Sequence, residues 1–399
     1  MDLESNCAEV QSEPGPLRGE DGSLTPPGFD VRMSRERRDP DWDNFVERCP
    51  GGHYEQTSLW GEVKSCYGWR PLRIIVSRGK QILAGVHVLT RSLGRWGRIG
   101  YVMRGPLAIS SDPEQVQLIL EQLHRAAADE RLAYLVVVPP YNGQIFEPGL
   151  NRLGFRKKPN VLPPGGIVTA TLLLDLSEDL QNLKTRMKKR MRGNLSRATR
   201  AGVTVREGTG ADVEKFRELM WALCERRGSS PTPPQRDFFE HVWRIFQPLG
   251  FVRLFVAELK GCAISALLTF PFGDTVSAWK IGWAGDRAES SPNAMLYWEA
   301  IRWSKCNGYH YFNIVQIEKG LARKLQQGDP VDWTAVDGIS LNKVSFGASP
   351  VLLPEPYYRF YHPLLRTFAQ AGGTGLIESS VVARLIGRLW NTLDSRGEG

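Results

Sequence analysis

Apolar residues begin to recur with structural period at Trp42. Before that, Met1 to about Pro40 is rich in Pro, Gly, Ser and acids and poor in large apolar groups, which predicts a disordered tail over residues 1–40. Trp42, Phe45 and Val46 mark a first helix. In HYEQTSLWGEVKSCYGWRP, Leu59, Val63 and Tyr67 share one helical face, while Trp60 and Lys64 share another. Arg73 to Val76 and Ile82 to Leu89 read as a hairpin about Arg78-Gly79-Lys80-Gln81. Val168 to Leu176 is a strand by its β-branched and aliphatic content, and Ser177-Glu178-Asp179 then caps a helix. Leu180, Leu183, Met187 and Met191, spaced by three and four, give that helix one apolar stripe, predicting a single helix over 180–201 that ends at Gly202. Gly338 to Gly347 (GISLNKVSFG) alternates as a strand does and places Lys343 and Phe346 near its end. The last amphipathic stretch, Leu376 to Leu393, carries Arg384, Arg388 and Trp390 and either packs on the body or lies on a membrane surface.

The pattern repeats. RIIVSRGKQILAGVHVL from Arg73 resembles RLFVAELKGCAISALLTF from Arg253, and the same offset superposes Arg104-Gly105-Pro106 on Ala284-Gly285-Asp286. Each copy continues into an amphipathic helix (Glu114 to Asp129; Asn293 to Lys305) and a strand (Tyr134 to Val138; Tyr311 to Ile314). A hairpin, helix and strand recurring together predict two α/β units, over 41–167 and 168–348, followed by a segment over 349–399.

Charge narrows the partners. Lys184 to Arg206 holds nine Lys or Arg and no acid, so the helix carries a basic face on an apolar stripe. Such a face either is solvated or meets phosphates. The formal net charge of +8 favours an acidic partner without choosing among nucleic acid, anionic lipid and a phosphorylated small molecule. The six cysteines are scattered with no CxxC pair, and the six histidines are unpaired at ligand spacing, so neither a metal site nor a disulfide framework is expected. Asp2 and Glu4 open a terminus without an apolar run, so a cytoplasmic protein is expected, at the inner face of the membrane if the last helix binds there.

Glu55-Gln56-Thr57 leading into Trp60-Gly61-Glu62-Val63-Lys64, the Arg104-Gly105-Pro106 turn, the basic helix ending Arg197-Ala198-Thr199-Arg200-Ala201-Gly202-Val203, and Lys343 before Phe346-Gly347 together resemble the FemAB family. These are peptidoglycan bridge-forming aminoacyltransferases that take their donor from aminoacyl-tRNA. The resemblance runs from about Trp42 to Gly347 and implies two tandem GNAT-like acyltransferase domains, the chain's end returning to the first. It also implies that Lys64 contacts the phosphates of a peptidoglycan precursor and that Lys343 lies near the reacting ester. Trp283 and Tyr134 fall on positions where the family has substrate-site tyrosines. The sequence departs from the family in two places. Pro139-Pro140 replaces the acid expected after Tyr134, and SSPTPPQRDFF replaces a family Arg and Tyr, leaving Arg236 as a substitute for the arginine and Phe238 without the hydroxyl. The helical-hairpin arm of some members has no room between Val213 and Pro248.

An aminoacyl ester is already activated, so joining it to an amine needs positioning and oxyanion stabilisation and no Ser/His/Asp triad. Lys343 is the candidate cation for that oxyanion or for the leaving ribose oxygen. Lys188, Lys189, Arg190 and Arg192 are the candidates for RNA phosphates. The proton of the acceptor amine is left to substrate phosphate, to water or to a residue the sequence does not single out, with Asp286 or Glu318 as candidates. The expected co-substrate is aminoacyl-tRNA, with no cofactor, and the acceptor is a peptidoglycan precursor or another amine; the amino acid, the tRNA and the oligomeric state stay open. Two other readings compete. One is an N-acyltransferase acting on a secondary metabolite or other small amine with tRNA or acyl-CoA as donor, although WAGDRAESSPN lacks the Gly-rich pyrophosphate loop of CoA enzymes. The other is a non-catalytic RNA-binding scaffold.

Overall fold

The computed structural model describes residues 28–92, 94, 97–157, 167–285, 287–363 and 366. The first unit contains β1 (Asp30–Ser34), α1 (Pro40–Arg48), α2 (Ser58–Ser65), β2 (Arg70–Arg78), β3 (Gln81–Ser92), β4 (Arg98–Met103), β5 (Leu107–Ala108), α3 (Pro113–Asp129), β6 (Leu132–Val138), α4 (Glu147–Arg152) and β7 (Arg156–Lys157). The second contains β8 (Ala170–Asp175), α5 (Leu180–Arg186), α6 (Lys189–Ala201), β9 (Thr204–Glu207), α7 (Asp212–Arg226), α8 (Phe238–Phe246), β10 (Arg253–Leu259), β11 (Cys262–Phe272), β12 (Thr275–Trp283), α9 (Pro292–Cys306), β13 (Tyr311–Asn313), α10 (Lys319–Gln327), α11 (Gly338–Val344) and β14 (Ser349–Leu352). β15 (Tyr357–Phe360) closes the described chain.

Each unit is built on one sheet, ordered β1-β2-β3-β4-β6-β15-β7 in the first and β14-β8-β13-β12-β11-β10-β9 in the second. The repeat seen in sequence is therefore structural. The hairpins β2/β3 and β10/β11 correspond, each runs into a third antiparallel strand, and α3 or α9 then crosses to a parallel strand, β6 beside β4 or β13 beside β12. In the second hairpin Lys260 and Gly261 both take left-handed backbone, as a tight two-residue turn matching strand twist requires. β15 comes from beyond the second unit and pairs with β6 and β7, so the chain's end does return to the first sheet. The fold is α/β with two repeated units of matching strand order.

Three expectations are corrected. Asp30–Ser34 is an edge strand paired with β2, so the tail does not extend to residue 40; Pro40 instead opens α1, whose N-cap Asp39 accepts from Trp42 N. Met187 and Lys188 are extended, splitting the basic helix into α5 and α6; Met187 is buried, Lys188 N donates to Ser345 O, and Arg192 Nη1 donates to Thr185 O at the end of α5. GISLNKV is helical, because Asp337 accepts from Ile339 N and Ser340 N and caps α11. Residues 376–393 lie outside the described residues.

One apolar core is continuous between the units. Trp42, Val46, Tyr54 and Trp60 from the first pack with Phe216, Phe238, Phe246 and Phe270 from the second, and Tyr54 stacks on Phe270 with ring centroids 3.8 Å apart. Burial of each such ring contributes about 1.5–3 kcal/mol, so the units are held as one body and the cleft between them has fixed walls.

Candidate active site

Two cavities meet in that cleft. The first, about 340 Å³, lies between the units under α2, and aromatic rings (Trp60, Trp69, Tyr101, Phe238, Trp279) form much of its wall. The second, about 820 Å³, belongs to the second unit and opens between α6, the start of α9, and α11. Thr232, Trp279, Lys280, Val315 and Gln316 line both, so these residues form the partition.

The partition follows from how β12 is built. β13 pairs with β12 only over Thr275–Ser277, and β12 then runs on to Trp283 without β13 beside it. In the pairing of β12 with β11, Leu268 faces Lys280 and Thr269 faces Ala278, so Trp279 is an extra, bulged residue. A bulge breaks the two-residue alternation of a strand, and here it turns the adjacent side chains of Trp279 and Lys280 to one cleft. Behind it Gly282 lets α7 lie close, since a Cβ there would stand 2.8 Å from Phe216 O and Met220 N.

In the first cavity, Lys64 comes from the last turn of α2, its Nζ 5.6 Å from the Trp69 ring centroid and 5.9 Å from that of Phe238. Arg104 takes left-handed backbone and donates from Nη2 to Val168 O at 3.1 Å. Glu55 lies beside both cations: burial raises its pKa, while Arg104 and then Lys64 oppose the rise. Burial pushes His53 down to about 3, with Arg104 adding to the effect, so its ring is neutral at ordinary pH.

The second cavity is cationic. Arg190 and Arg197 reach it from α6, Arg227 from the end of α7, and Lys343 from α11, with Asp337 as the acid. Lys343 Nζ donates to Gln316 O at 2.7 Å. Burial pulls its pKa down to about 8, against Asp337, which raises it, and together with Arg227, which lowers it further. Arg226 stacks on Trp283 at 4.3 Å, at the end of β12.

Lys64, Lys343, Trp283 and Arg190 are thus gathered around one cleft, Lys64 in the first cavity and the other three in the second. The remaining expected residues are elsewhere. Tyr134 lies in β6 between β4 and β15, its ring 6.0 Å from Phe360, because the returning strand covers it; it lines neither cavity. Arg236 is exposed, and its carbonyl accepts from Arg217 Nη1; Thr232 and Pro233 of the same loop, with Phe238 at the start of α8, line the first cavity instead. Lys188 lies 3.7 Å over the Trp333 ring, and Lys189 and Arg192 are on the exposed side of α6. Glu318 caps α10 by accepting from Gly320 N and Leu321 N, and Asp286 is outside the described residues. Sequence reading missed Lys280, whose signal was a lone cation inside the strand TVSAWKIGW.

Residues 38–152 match the profile of the FemAB family, and residues 185–320 match that of the acetyltransferase (GNAT) domain. No curated protein matches the chain in sequence. Among solved structures, FemX superposes with a TM-score of 0.72 at 16% identity, over 84% of this chain and 99% of that one. L-PGS from Bacillus licheniformis gives 0.52 at 15% identity, over 88% and 98%. A tandem GNAT protein from the clavulanic acid biosynthesis pathway gives 0.50 at 8% identity, over 83% and 98%. The FemAB match in the first unit, the GNAT match in the second and the tandem fold throughout make the chain similar to the FemAB family and support acyltransferase activity.

Proposed function

We propose that the protein moves an aminoacyl group from aminoacyl-tRNA to an amine on a peptidoglycan precursor, forming a peptide bond. The observation that carries this reading is the pair of cavities meeting across Trp279, Lys280 and Gln316: two reactants can enter separately and touch at one place. The second cavity is the donor side. It lies under α6, whose exposed Lys189, Arg190 and Arg192 suit the phosphates of an RNA end without reading its sequence. Lys343 at its wall supplies the cation for the tetrahedral oxyanion or the departing ribose oxygen. The first cavity is the acceptor side, where Lys64 and Arg104 favour a phosphate-bearing molecule and the rings offer apolar area.

Acyl-CoA is the second reading, because the first turn of α9, Pro292 and Asn293, also opens into the donor cavity. Incubating the protein with a pool of tRNA charged with labelled amino acids, and with lipid-linked and nucleotide-linked precursors in parallel, separates the two. Label in a precursor, abolished by RNase, supports the tRNA donor. Turnover of acyl-CoA with no transfer from tRNA refutes it.

A further inference from the structure

Resting on the acyl-transfer reading above, we propose that Lys280 is the general base that takes the proton from the acceptor's ammonium group. An ammonium cannot attack an ester until it loses a proton, and the strand-end position where the family resemblance implies an acid holds Pro139-Pro140. The replacement must stand where acceptor and donor meet. Lys280 is the titratable residue that borders both cavities. Glu55, whose pKa burial raises against the opposing charges of Arg104 and Lys64, borders the acceptor cavity alone and does not reach the meeting point. Lys343 borders the donor cavity alone and is committed to Gln316 O.

The surroundings of Lys280 suit a base and not a structural cation. Among the described residues no hydrogen bond or ion pair to its ammonium is formed; its contact is the Trp279 ring, 5.9 Å from Nζ. Burial lowers its pKa, only Cys224 opposing, which raises the fraction of free amine at neutral pH.

The free amine of Lys280 takes one proton from R–NH3+, leaving R–NH2, which attacks the ester carbonyl and forms the C–N bond. As the C–O bond to ribose breaks, the second proton of the attacking nitrogen passes to the ribose oxygen, giving the amide and a tRNA 3′ end with a free hydroxyl. Lys280 then releases its proton to water.

The test uses the full-length protein, tRNA charged with labelled amino acids, and the nucleotide-linked precursor, comparing wild type with K280M and K280R. The expected result is a loss of at least about a hundredfold in kcat in both variants, the scale of general-base catalysis. Charged-tRNA binding should stay within about threefold of wild type, and K280M should melt no lower than wild type because it removes an unpaired amine from a partly buried site. Arginine keeps the charge and cannot act as a base. An active K280R therefore overturns the assignment and leaves only a cation, and it decides the matter where K280M does not fold. An active K280M overturns it as well. Wild-type protein that transfers to no amine overturns the acyl-transfer reading and, with it, the base.

Discussion

Replacing Lys343 with methionine should stabilise the protein while disabling it. The ammonium is drawn from 10.5 down to about 8 by burial, which amounts to roughly 3 kcal/mol of preference for the neutral form. Methionine has similar length and no charge to desolvate, but it loses the bond to Gln316 O, worth about 1 kcal/mol. At pH 7 the variant should therefore gain about 2 kcal/mol. The pH dependence has a fixed sign. Below pH 8 the lysine is protonated in both folded and unfolded chains, and its burial cost is fully present. Between about 8 and 10.5 the unfolded chain binds the extra proton, so wild-type stability rises with pH relative to the variant and the gap closes. Denaturant unfolding of both proteins, followed by tryptophan fluorescence at pH 7, 9 and 10.5, measures this gap. Transfer activity should fall about 10²–10³-fold if the cation faces the oxyanion. A variant less stable than wild type at pH 7, or a gap that stays constant to pH 10.5, would refute the reasoning.

Lys64→Met should raise KM for a phosphate-bearing acceptor at least about tenfold with kcat little changed, since the lysine binds ground state and transition state alike; steady-state kinetics at varied acceptor concentration check this. Removing Lys189 and Arg190 together should lower tRNA affinity and flatten the slope of log K against log[salt] by about 1–2, read by filter binding over a salt series. Gly282→Ala should cost about 1–3 kcal/mol, because the new Cβ meets the backbone of α7 at Phe216 O and Met220 N, neither of which can yield without moving the helix; thermal melting measures it.

Much of the architecture was legible because it is carried by local periodicity and by a repeat. The hairpins from Arg73 and Arg253 share apolar spacing at one offset, and the two sheets share their order. Misreadings fall where a single long-range contact or cap overrides local pattern. The alternation of GISLNKVSFG suggested a strand, yet the Asp337 carboxylate holds two amides and starts a helix. The stripe Leu183, Met187, Met191 suggested one helix, yet a backbone bond from Lys188 to Ser345 O holds the break open. Residues 30–34 have little apolar content and are ordered by their pairing with β2. At the site, Lys64 and Lys343 were legible through family resemblance. Lys280 was not, because what aims it into the cleft is a bulge at Trp279, and the sequence carries no mark of a register shift. Tyr134 was misplaced for the converse reason: a strand more than two hundred residues later covers it.

The central claim is that the aminoacyl end of tRNA enters the cavity lined by Lys343 and Trp283. The most direct measurement is photocrosslinking with tRNA charged with a benzoylphenylalanine residue, followed by mass-spectrometric mapping of the modified peptide. The account predicts adducts in peptides carrying Trp283, Tyr297 or Lys343, and their loss when an excess of unlabelled charged tRNA competes. Adducts confined to residues outside this cavity, or unaffected by that competitor, would contradict it.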